Sequence, residues 1–330
     1  MPKILVTGGT GFVGSHVARR LCEEGFAVRA LTRSTSSLDA LESLALETVQ
    51  GDLRDVDSLR RAVSGCSSVF HVAADYRLWA RDPRDLYRNN VDGTKNLLQV
   101  AAEANVERFV YTSTVGTLRF TEDGRPVAEN DVATLHSLVG HYKRSKFLAE
   151  QVVLRYAADG FPVVIVSPST PVGEGDRKPT ATGKMILDFL LGRMPAYIDT
   201  GLNLVDVQDV AEGHLLAWRK GCAGERYILG GCNMSLREIL ESLASITGLP
   251  TPKIRLPHWA ALVAGALDTG LASLLGRPPR IPLEAVKMAR YKMYVSTEKA
   301  RRELGYDPSP VEPALVRSVE WYRGNGYLRM

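Results

Sequence analysis

Residues 1–16 read MPKILVTGGTGFVGSH, and this stretch decides the fold. Lys3 to Val6 is an apolar run that fits a buried strand, and Thr7 to Gly14 is rich in glycine. An amphipathic run follows from Phe12 to Glu24. A strand, a glycine-rich turn and a helix, in that order, are the setting in which a glycine fingerprint indicates a dinucleotide site. The alternative is an ordinary glycine turn, and the flanking strand and helix argue against it.

The three glycines of this fingerprint have separate physical tasks. Gly8 allows a tight turn, Gly11 lets the backbone approach a pyrophosphate, and Gly14 lets the helix pack on the strand. The helix N-terminus offers unpaired N–H groups and a positive dipole to the phosphates. We therefore expect the whole turn to contact the cofactor, namely Gly8, Thr10, Gly11, Phe12, Val13 and Gly14.

The composition is that of an ordinary globular protein. The chain has 330 residues, of which 45% are hydrophobic and 24% charged, and this length allows a large α/β domain with a smaller lobe. The net charge of +4 is small and spread along the chain, which argues against nucleic-acid binding. The four cysteines form no CxxC pair, so we expect neither a disulfide nor a metal site.

The sequence also bears on location. The first strand begins at residue 3 and leaves no room for a signal peptide, so we expect a cytoplasmic protein with no integral membrane segment. No apolar stretch reaches the roughly 20 residues that span a bilayer. Trp259 to Leu275 is apolar, but Asp268 and two glycines interrupt it. We expect a core or lobe helix there, with a membrane-surface contact as the alternative.

Apolar runs alternate with helical patterns through the first half of the chain. The pattern predicts strands at 3–6, 26–31, 46–50, 69–72, 109–112 and 162–167, and long helices at 82–103 and 141–157. This alternation predicts an α/β, Rossmann-type, doubly wound parallel sheet with a smaller C-terminal substrate lobe. We expect a dinucleotide-binding core at 1–168 and a lobe at 169–330, with about 203–230 returning to the core. Residues 168–183 are expected to form a loop.

The end of the second strand bears on the choice of cofactor. An acidic residue there would bind the ribose 2′-hydroxyl of NAD, but this chain has Thr32-Arg33-Ser34. The Arg33 guanidinium suits a 2′-phosphate, so NADP(H) is favoured and NAD(H) remains possible. A solvated surface arginine is the alternative.

Two further stretches follow predicted strands. Asp52, followed by Leu53, is placed to accept from the adenine amino group, or to cap the helix that starts near Asp55. Ala73 and Ala74 are small enough to let the backbone lie against the cofactor.

Tyr142 and Lys146 carry the predicted chemistry. They are four residues apart and share one helical face. A nearby ammonium lowers the pKa of a phenol from its usual value near ~10. Thr114 or Ser113, at the end of the fifth strand, supplies a hydroxyl to orient a carbonyl. Together they form a general acid–base, a cation that lowers its pKa, and a hydroxyl that positions the substrate oxygen beside a nicotinamide.

At these positions the chain resembles the extended short-chain dehydrogenase/reductase superfamily (epimerase/dehydratase family), and within it the dihydroflavonol-4-reductase-like branch. The likeness covers nearly the whole chain, from the three glycines and Asp52-Leu53 to Tyr142 and Lys146. Four stretches are similar to bacterial hopanoid-associated sugar epimerases, namely AADYRLWARDP (73–83), GHYKRSKFLAE (140–150), PSTPVG (168–173) and MPAYIDTGLNLV (194–205).

The resemblance implies roles for individual residues. Tyr142 is the proton donor or acceptor, Lys146 binds the nicotinamide ribose, and Thr114 holds the reacting oxygen. Asn90 supports the local helix geometry. The resemblance also implies further cofactor contacts at Thr112, Pro168 and Thr170, and substrate contacts at Asp75, Tyr76, Thr114 and Ser169.

Three functions remain open. We favour an NADP(H)-dependent reductase or dehydrogenase of a carbonyl/alcohol pair, because Arg33 replaces the acid expected with NAD. A sugar epimerase or dehydratase that retains NAD is the second, and a non-catalytic dinucleotide sensor the third. The resemblance implies a homodimer in which the helices at 82–103 and 141–157 pack as a four-helix bundle. Solvent-facing helices are the alternative.

Overall fold

The fold is taken from a computed structural model of the chain. It describes residues 3–77, 79–80, 82–277, 279 and 281–328. The residues outside these ranges are Met1, Pro2, Leu78, Arg81, Pro278, Arg280, Arg329 and Met330, and two of them, Leu78 and Arg81, fall in the stretch AADYRLWARDP. Among the described residues, no helix is long and apolar enough to cross a membrane.

Seven parallel strands form the main sheet. Their bounds are β1 Lys3–Thr7, β2 Ala27–Thr32, β3 Glu47–Gln50, β4 Cys66–His71, β5 Arg108–Thr112, β6 Val163–Pro168 and β10 Arg226–Leu229. They lie side by side in the order β10-β6-β5-β4-β1-β2-β3. The central strands are buried on both faces, which explains why the sequence reads as continuous apolar runs there.

Helices cover both faces of this sheet. Their bounds are α1 Phe12–Glu23, α2 Val56–Val63, α3 Arg84–Tyr87, α4 Gly93–Glu103, α5 His141–Ala158, α7 Val207–Lys220 and α11 Glu298–Leu304. One face of the sheet packs against α1, α7 and α11, and the other against α2, α4 and α5. The arrangement confirms the predicted α/β doubly wound fold.

A smaller lobe is built mainly from the second half of the chain. Its bounds are β7 Thr170–Val172, α6 Ala181–Leu190, β8 Ala196–Ile198, β9 Gly201–Asp206, β11 Cys232–Ser235, α8 Leu236–Thr247, β12 Ile254–Leu256, α9 His258–Leu274, α10 Leu283–Met288, β13 Lys292–Met293 and α12 Glu312–Gly324. The apolar core of the lobe lies between α6, α8 and α12 and the strands β7, β9 and β11.

The structure corrects two predicted elements and narrows a third. The expected continuous helix at 82–103 starts at Arg84 and contains a π-helical turn at Arg88–Asp92. The expected loop at 168–183 contains β7, which pairs with β9, and the start of α6. The apolar stretch from Trp259 is a helix of the lobe, one of the two placements expected, and its outer face is exposed, with Trp259 and Leu267 each 70% exposed.

Candidate active site

The candidate site lies where the central strands end. β1 and β4 are neighbours in space, and the helices that follow them, α1 and α4, pack on opposite faces of the sheet. A doubly wound sheet has a crevice at such a switch point, outside the carboxyl ends of its strands. The glycine turn follows β1, and Ala73 and Ala74 follow β4.

The glycine turn is packed so closely that a side chain at Gly8 or Gly14 would clash with neighbouring backbone atoms. A Cβ atom on Gly14 would lie 2.0 Å from the carbonyl oxygen of Gly8, and one on Gly8 would lie 2.6 Å from the Ala73 nitrogen. Gly11 is the N-cap of α1 and brings no side chain to the N–H groups of the first turn. Close-packed backbone and a helix N-terminus with a glycine cap fit a dinucleotide pyrophosphate.

A buried chain of hydrogen bonds holds the floor of this crevice. The Thr7 hydroxyl accepts from the Ala73 N–H at 3.2 Å and lies 2.7 Å from His71 Nδ1. His71 Nε2 lies 2.9 Å from the Thr94 hydroxyl on α4. Burial lowers the pKa of His71 to about 3, so this imidazole is neutral and acts as a fixed bridge between two hydroxyls.

Arg33 lies directly after β2, on the surface. Within the described residues its side chain makes no hydrogen bond or ion pair. Its charge helps to lower the pKa of Asp52, after a larger contribution from the Arg54 guanidinium, which bonds that carboxylate at 3.0 and 3.2 Å. An exposed guanidinium at the end of β2 is accessible to a 2′-phosphate.

Asp52 does not cap α2. The cap is Asp55, whose carboxylate accepts from the N–H groups of Asp57 and Ser58 at 3.1 and 3.2 Å. The capping alternative is therefore wrong, and the adenine contact of Asp52 stays a prediction. Leu53 packs on α4, since a Cβ on Gly93 would lie 2.8 Å from the Leu53 Cβ.

Tyr142 and Thr114 come together as expected. Tyr142 lies in the first turn of α5, and Thr114 lies just after β5, where its hydroxyl accepts from Gly116 N–H at 3.0 Å. Burial raises the pKa of Tyr142 to about 12, although the nearby Thr114 hydroxyl opposes the shift. The phenol therefore keeps its proton at neutral pH, as a proton donor requires.

Lys146 does not act on Tyr142 in the expected way. Its Nζ donates to the Thr112 carbonyl at 2.7 Å and lies 4.3 Å above the centre of the Tyr111 ring. Burial lowers the pKa of Lys146 to about 7. The expected lowering of the tyrosine pKa is wrong in this structure, because burial of the phenol outweighs its other interactions.

A buried network that the sequence did not reveal lies behind the lysine. Ser113 donates to Glu150, and Glu150 forms a buried ion pair with Arg226 of β10. Ser113 is thereby engaged, which leaves Thr114 as the hydroxyl beside Tyr142. Glu150 follows Lys146 by four residues, so the shared helical face was the available signal.

Asn90 occupies the π-helical turn and joins three parts of the site. Its amide donates to the Asp75 carbonyl and to the Ser145 hydroxyl, both at 2.9 Å, and its oxygen accepts from the Asp75 N–H at 2.7 Å. A π-turn re-aims a side chain that a regular helix would point elsewhere. The loop after β4 is thus attached to the helix that carries Tyr142.

The predicted substrate-contacting residues differ in whether their polar side chains already have hydrogen-bond partners. The Asp75 carboxylate already accepts from Arg77 at 2.8 and 2.5 Å, and the Tyr76 hydroxyl donates to the Lys178 carbonyl at 3.1 Å. The Ser169 hydroxyl is buried and has no hydrogen-bond partner among the described residues. A buried hydroxyl without a protein partner is open to a water molecule or a ligand atom, and the same holds for the Ser167 hydroxyl. Pro168 ends β6 and Thr170 begins β7, on either side of Ser169.

Comparisons with known proteins agree with this architecture. The model of a family described as the NAD dependent epimerase/dehydratase family matches residues 4–230. A Synechocystis protein, provisionally named dihydroflavonol 4-reductase, is 48% identical, with 98% of this chain and 95% of the relative covered. The sterol demethylase protein B of Methylococcus capsulatus is 34% identical, with 98% and 99% covered. The crystal structure of gox2253 superposes with a TM-score of 0.90 at 44% identity, covering all of both chains.

Proposed function

The chain belongs to the NAD-dependent epimerase/dehydratase family and is an NAD(P)-dependent oxidoreductase of the extended short-chain type, and we propose that it is an NADP(H)-dependent carbonyl reductase or alcohol dehydrogenase. The observation that carries the proposal is the Tyr142 phenol, which burial keeps protonated, at the start of α5 beside the Thr114 hydroxyl after β5. A proton donor and a hydroxyl that positions the substrate oxygen converge there on one point, which is what reduction of a carbonyl needs.

In the proposed site the carboxyl edge of the sheet would hold the cofactor. The residues that would hold it are Gly8, Thr10, Gly11, Phe12, Val13, Gly14, Arg33, Asp52, Leu53, Ala73, Ala74, Thr112, Tyr142, Lys146, Pro168 and Thr170. The exposed guanidinium of Arg33 supports NADP(H) over NAD(H), since a 2′-phosphate offers it a charge-assisted hydrogen bond.

Residues of the chain supply the proton that the substrate oxygen receives. When bound, the nicotinamide supplies the hydride to the carbonyl carbon. Thr114 donates to the substrate oxygen and fixes its position, and Tyr142 transfers the phenolic proton to that oxygen as negative charge develops. Lys146 is anchored on the Thr112 carbonyl and would donate its remaining hydrogens to the nicotinamide ribose. Lys146 is buried and the other two side chains are half-buried, so a bound substrate would complete the exclusion of water.

The substrate is proposed to be a small apolar carbonyl compound. It would meet Asp75, Tyr76, Thr114 and Ser169, of which Ser169 offers the buried hydroxyl. The stretch Gly201 to Val205 carries no cation for a sugar diphosphate. The name of the Methylococcus relative refers to a sterol, which supports an apolar substrate.

The decisive experiment is to denature freshly purified protein and identify the nucleotide it releases. We expect an empty site or NADP(H), followed by NADPH-dependent turnover of a panel of aldehydes and ketones. Near-stoichiometric NAD⁺ would overturn the proposal and favour an epimerase or dehydratase that reoxidises its cofactor in place. Binding of NADPH with no turnover of any carbonyl would favour the non-catalytic sensor.

A further inference from the structure

Helix α9 turns most of its large apolar side chains away from the protein. Along its outer face Trp259, Val263, Leu267, Leu271 and Leu274 recur at intervals of three and four residues. All five are exposed, and Leu274 is 86% exposed. Spacings of three and four place side chains on one face of a helix, so these residues form a single apolar stripe, which we call the α9 stripe.

The inner face of α9 carries small residues instead. Ala261 and Ala272 are buried, and a Cβ on Gly265 would lie 3.2 Å from the Val286 side chain of α10. A helix at the surface of a globular protein normally buries its large apolar residues and exposes polar ones. In α9 the large apolar residues are exposed and small residues are buried. This reversal indicates that the stripe contacts an apolar partner outside the protein.

The charge that interrupts α9 is directed back into the protein. The Asp268 carboxylate accepts from the Ile281 N–H at 2.7 Å and pairs with Arg277 at 3.2 Å. The α9 stripe therefore carries no charged group of its own.

Basic residues flank the helix in sequence on both sides. Between 250 and 283 the sequence contains four basic residues and one acidic residue, namely Lys253, Arg255, Arg277 and Arg280 against Asp268. Two of these four basic residues are in ion pairs, Arg255 with Asp199 and Arg277 with Asp268, which reduces the local positive excess on each flank. An apolar stripe that begins at a tryptophan and has basic flanks is complementary to the surface of an anionic bilayer.

A second copy of this chain complements the stripe less well. Because the sequence on both flanks of α9 has more basic than acidic residues, parallel and antiparallel pairing of two α9 helices would each bring an excess of like charge together. Anionic headgroups would instead neutralise both flanks while the stripe enters the acyl boundary. Charge complementarity thus favours lipid over self-association.

The α9–α10 pair also borders the candidate site. Gly140 precedes α5 and lies two residues before Tyr142, and a Cβ on Gly140 would lie 2.5 Å from a carboxylate oxygen of Glu284 on α10. We propose that the α9 stripe docks in the plane of an anionic lipid bilayer, with the entrance of the candidate site beside the membrane surface. The docking is peripheral and is separate from the proposed reaction.

The test is flotation of the purified full-length chain with lipid vesicles. One set is pure phosphatidylcholine and the other contains equal parts of phosphatidylcholine and phosphatidylglycerol. We expect the protein to float with the anionic vesicles, less so at high salt, and the Leu267→Asp/Leu271→Asp double variant to lose at least about tenfold in partitioning. Both positions are exposed, so the fold and the turnover of a water-soluble carbonyl should be unchanged.

The matched control is Val132→Asp, an exposed apolar position outside α9. It should float like the unmodified protein. Absence of flotation, or equal flotation of the double variant, would overturn the docking proposal. So would a wild-type dimer in light scattering that the double variant converts to monomers without any vesicle binding, because the stripe would then be covered by a second copy. None of these outcomes changes the nucleotide-release test of the proposed function.

Discussion

The Tyr142 phenol and the Lys146 ammonium share one face of α5 yet have different partners, since Tyr142 contacts Thr114 and Lys146 donates to the Thr112 carbonyl at 2.7 Å. The strand end that carries these two threonines thus fixes both groups of the candidate proton relay. This separation of partners makes the roles of the two residues independently testable.

Removing the phenolic hydroxyl should stop the reaction and spare the cofactor site. For Tyr142→Phe we expect kcat to fall by about 10²–10⁴, the usual contribution of a positioned general acid. NADPH binding, followed by fluorescence titration, should change little, because the ring still packs in place. Turnover at the wild-type rate would remove Tyr142 from the mechanism.

The role of the Thr114 hydroxyl in positioning the substrate oxygen can be distinguished from a role of the side chain in packing. Thr114→Val keeps the shape but deletes the hydroxyl that contacts Tyr142 and accepts from the Gly116 N–H. We expect at least about a tenfold loss in kcat/KM, equivalent to about 1.4 kcal/mol. Thr114→Ser, which keeps the hydroxyl, should recover most of the activity in the same assay. Equal rates for the valine and serine variants would contradict the role.

A charge reversal at Arg33 should change the choice of cofactor. We expect Arg33→Asp to weaken NADPH binding by at least about tenfold and NADH binding far less, because only NADPH carries the 2′-phosphate. Arg323→Asp, at an exposed position on α12, is the matched control for a change in net charge. Parallel losses for both cofactors in the Arg33 variant would contradict 2′-phosphate recognition.

The glycine turn should not tolerate a methyl group. In Gly14→Ala the new Cβ would lie 2.0 Å from the Gly8 carbonyl oxygen, so the backbone must move. We expect a lower thermal midpoint and weak NADPH binding. Gly324→Ala meets open space near the end of α12 and should be neutral or stabilising by up to ~1 kcal/mol. Normal binding by Gly14→Ala would exclude the close packing described above.

The burial of Lys146 predicts a pH dependence of stability. Folding lowers the pKa of this ammonium from its ordinary 10.5 to about 7, so between those pH values the unfolded chain binds more protons. Stability from this group therefore rises with pH across that window. In urea unfolding at pH 7 and pH 9, Lys146→Met should show a smaller gain with pH than the unmodified protein. An equal gain would mean that Lys146 keeps its ordinary pKa.

The sequence predicted the sheet because apolar runs and glycine turns are local signals. It also placed Tyr142 opposite Thr114, since the i,i+4 pattern and the strand end are both readable along the chain. The π-turn at Asn90 was not predictable, because it depends on contacts with Asp75 and Ser145 that form only in the fold. The expected effect of Lys146 on the Tyr142 pKa failed for the same reason, since burial is a property of the packed site.

Other expectations stay predictions. They include the boundary at residue 168, the individual site residues and the homodimer through the helices at 82–103 and 141–157. On those helices no large apolar side chain among the described residues is among the exposed ones, whereas α9 carries several. The expected assembly surface therefore shows little of the apolar exposure that marks α9.

The position of β10 at the edge of the main sheet has a consequence during synthesis. β10 pairs with β6, although all of residues 169–225 separate them in the chain. At about 5–20 residues per second, the ribosome leaves the edge of β6 uncovered for several seconds. An open, apolar strand edge invites pairing with other chains. A nascent chain halted near residue 168 should therefore depend on chaperones, although it already contains most of the nucleotide half.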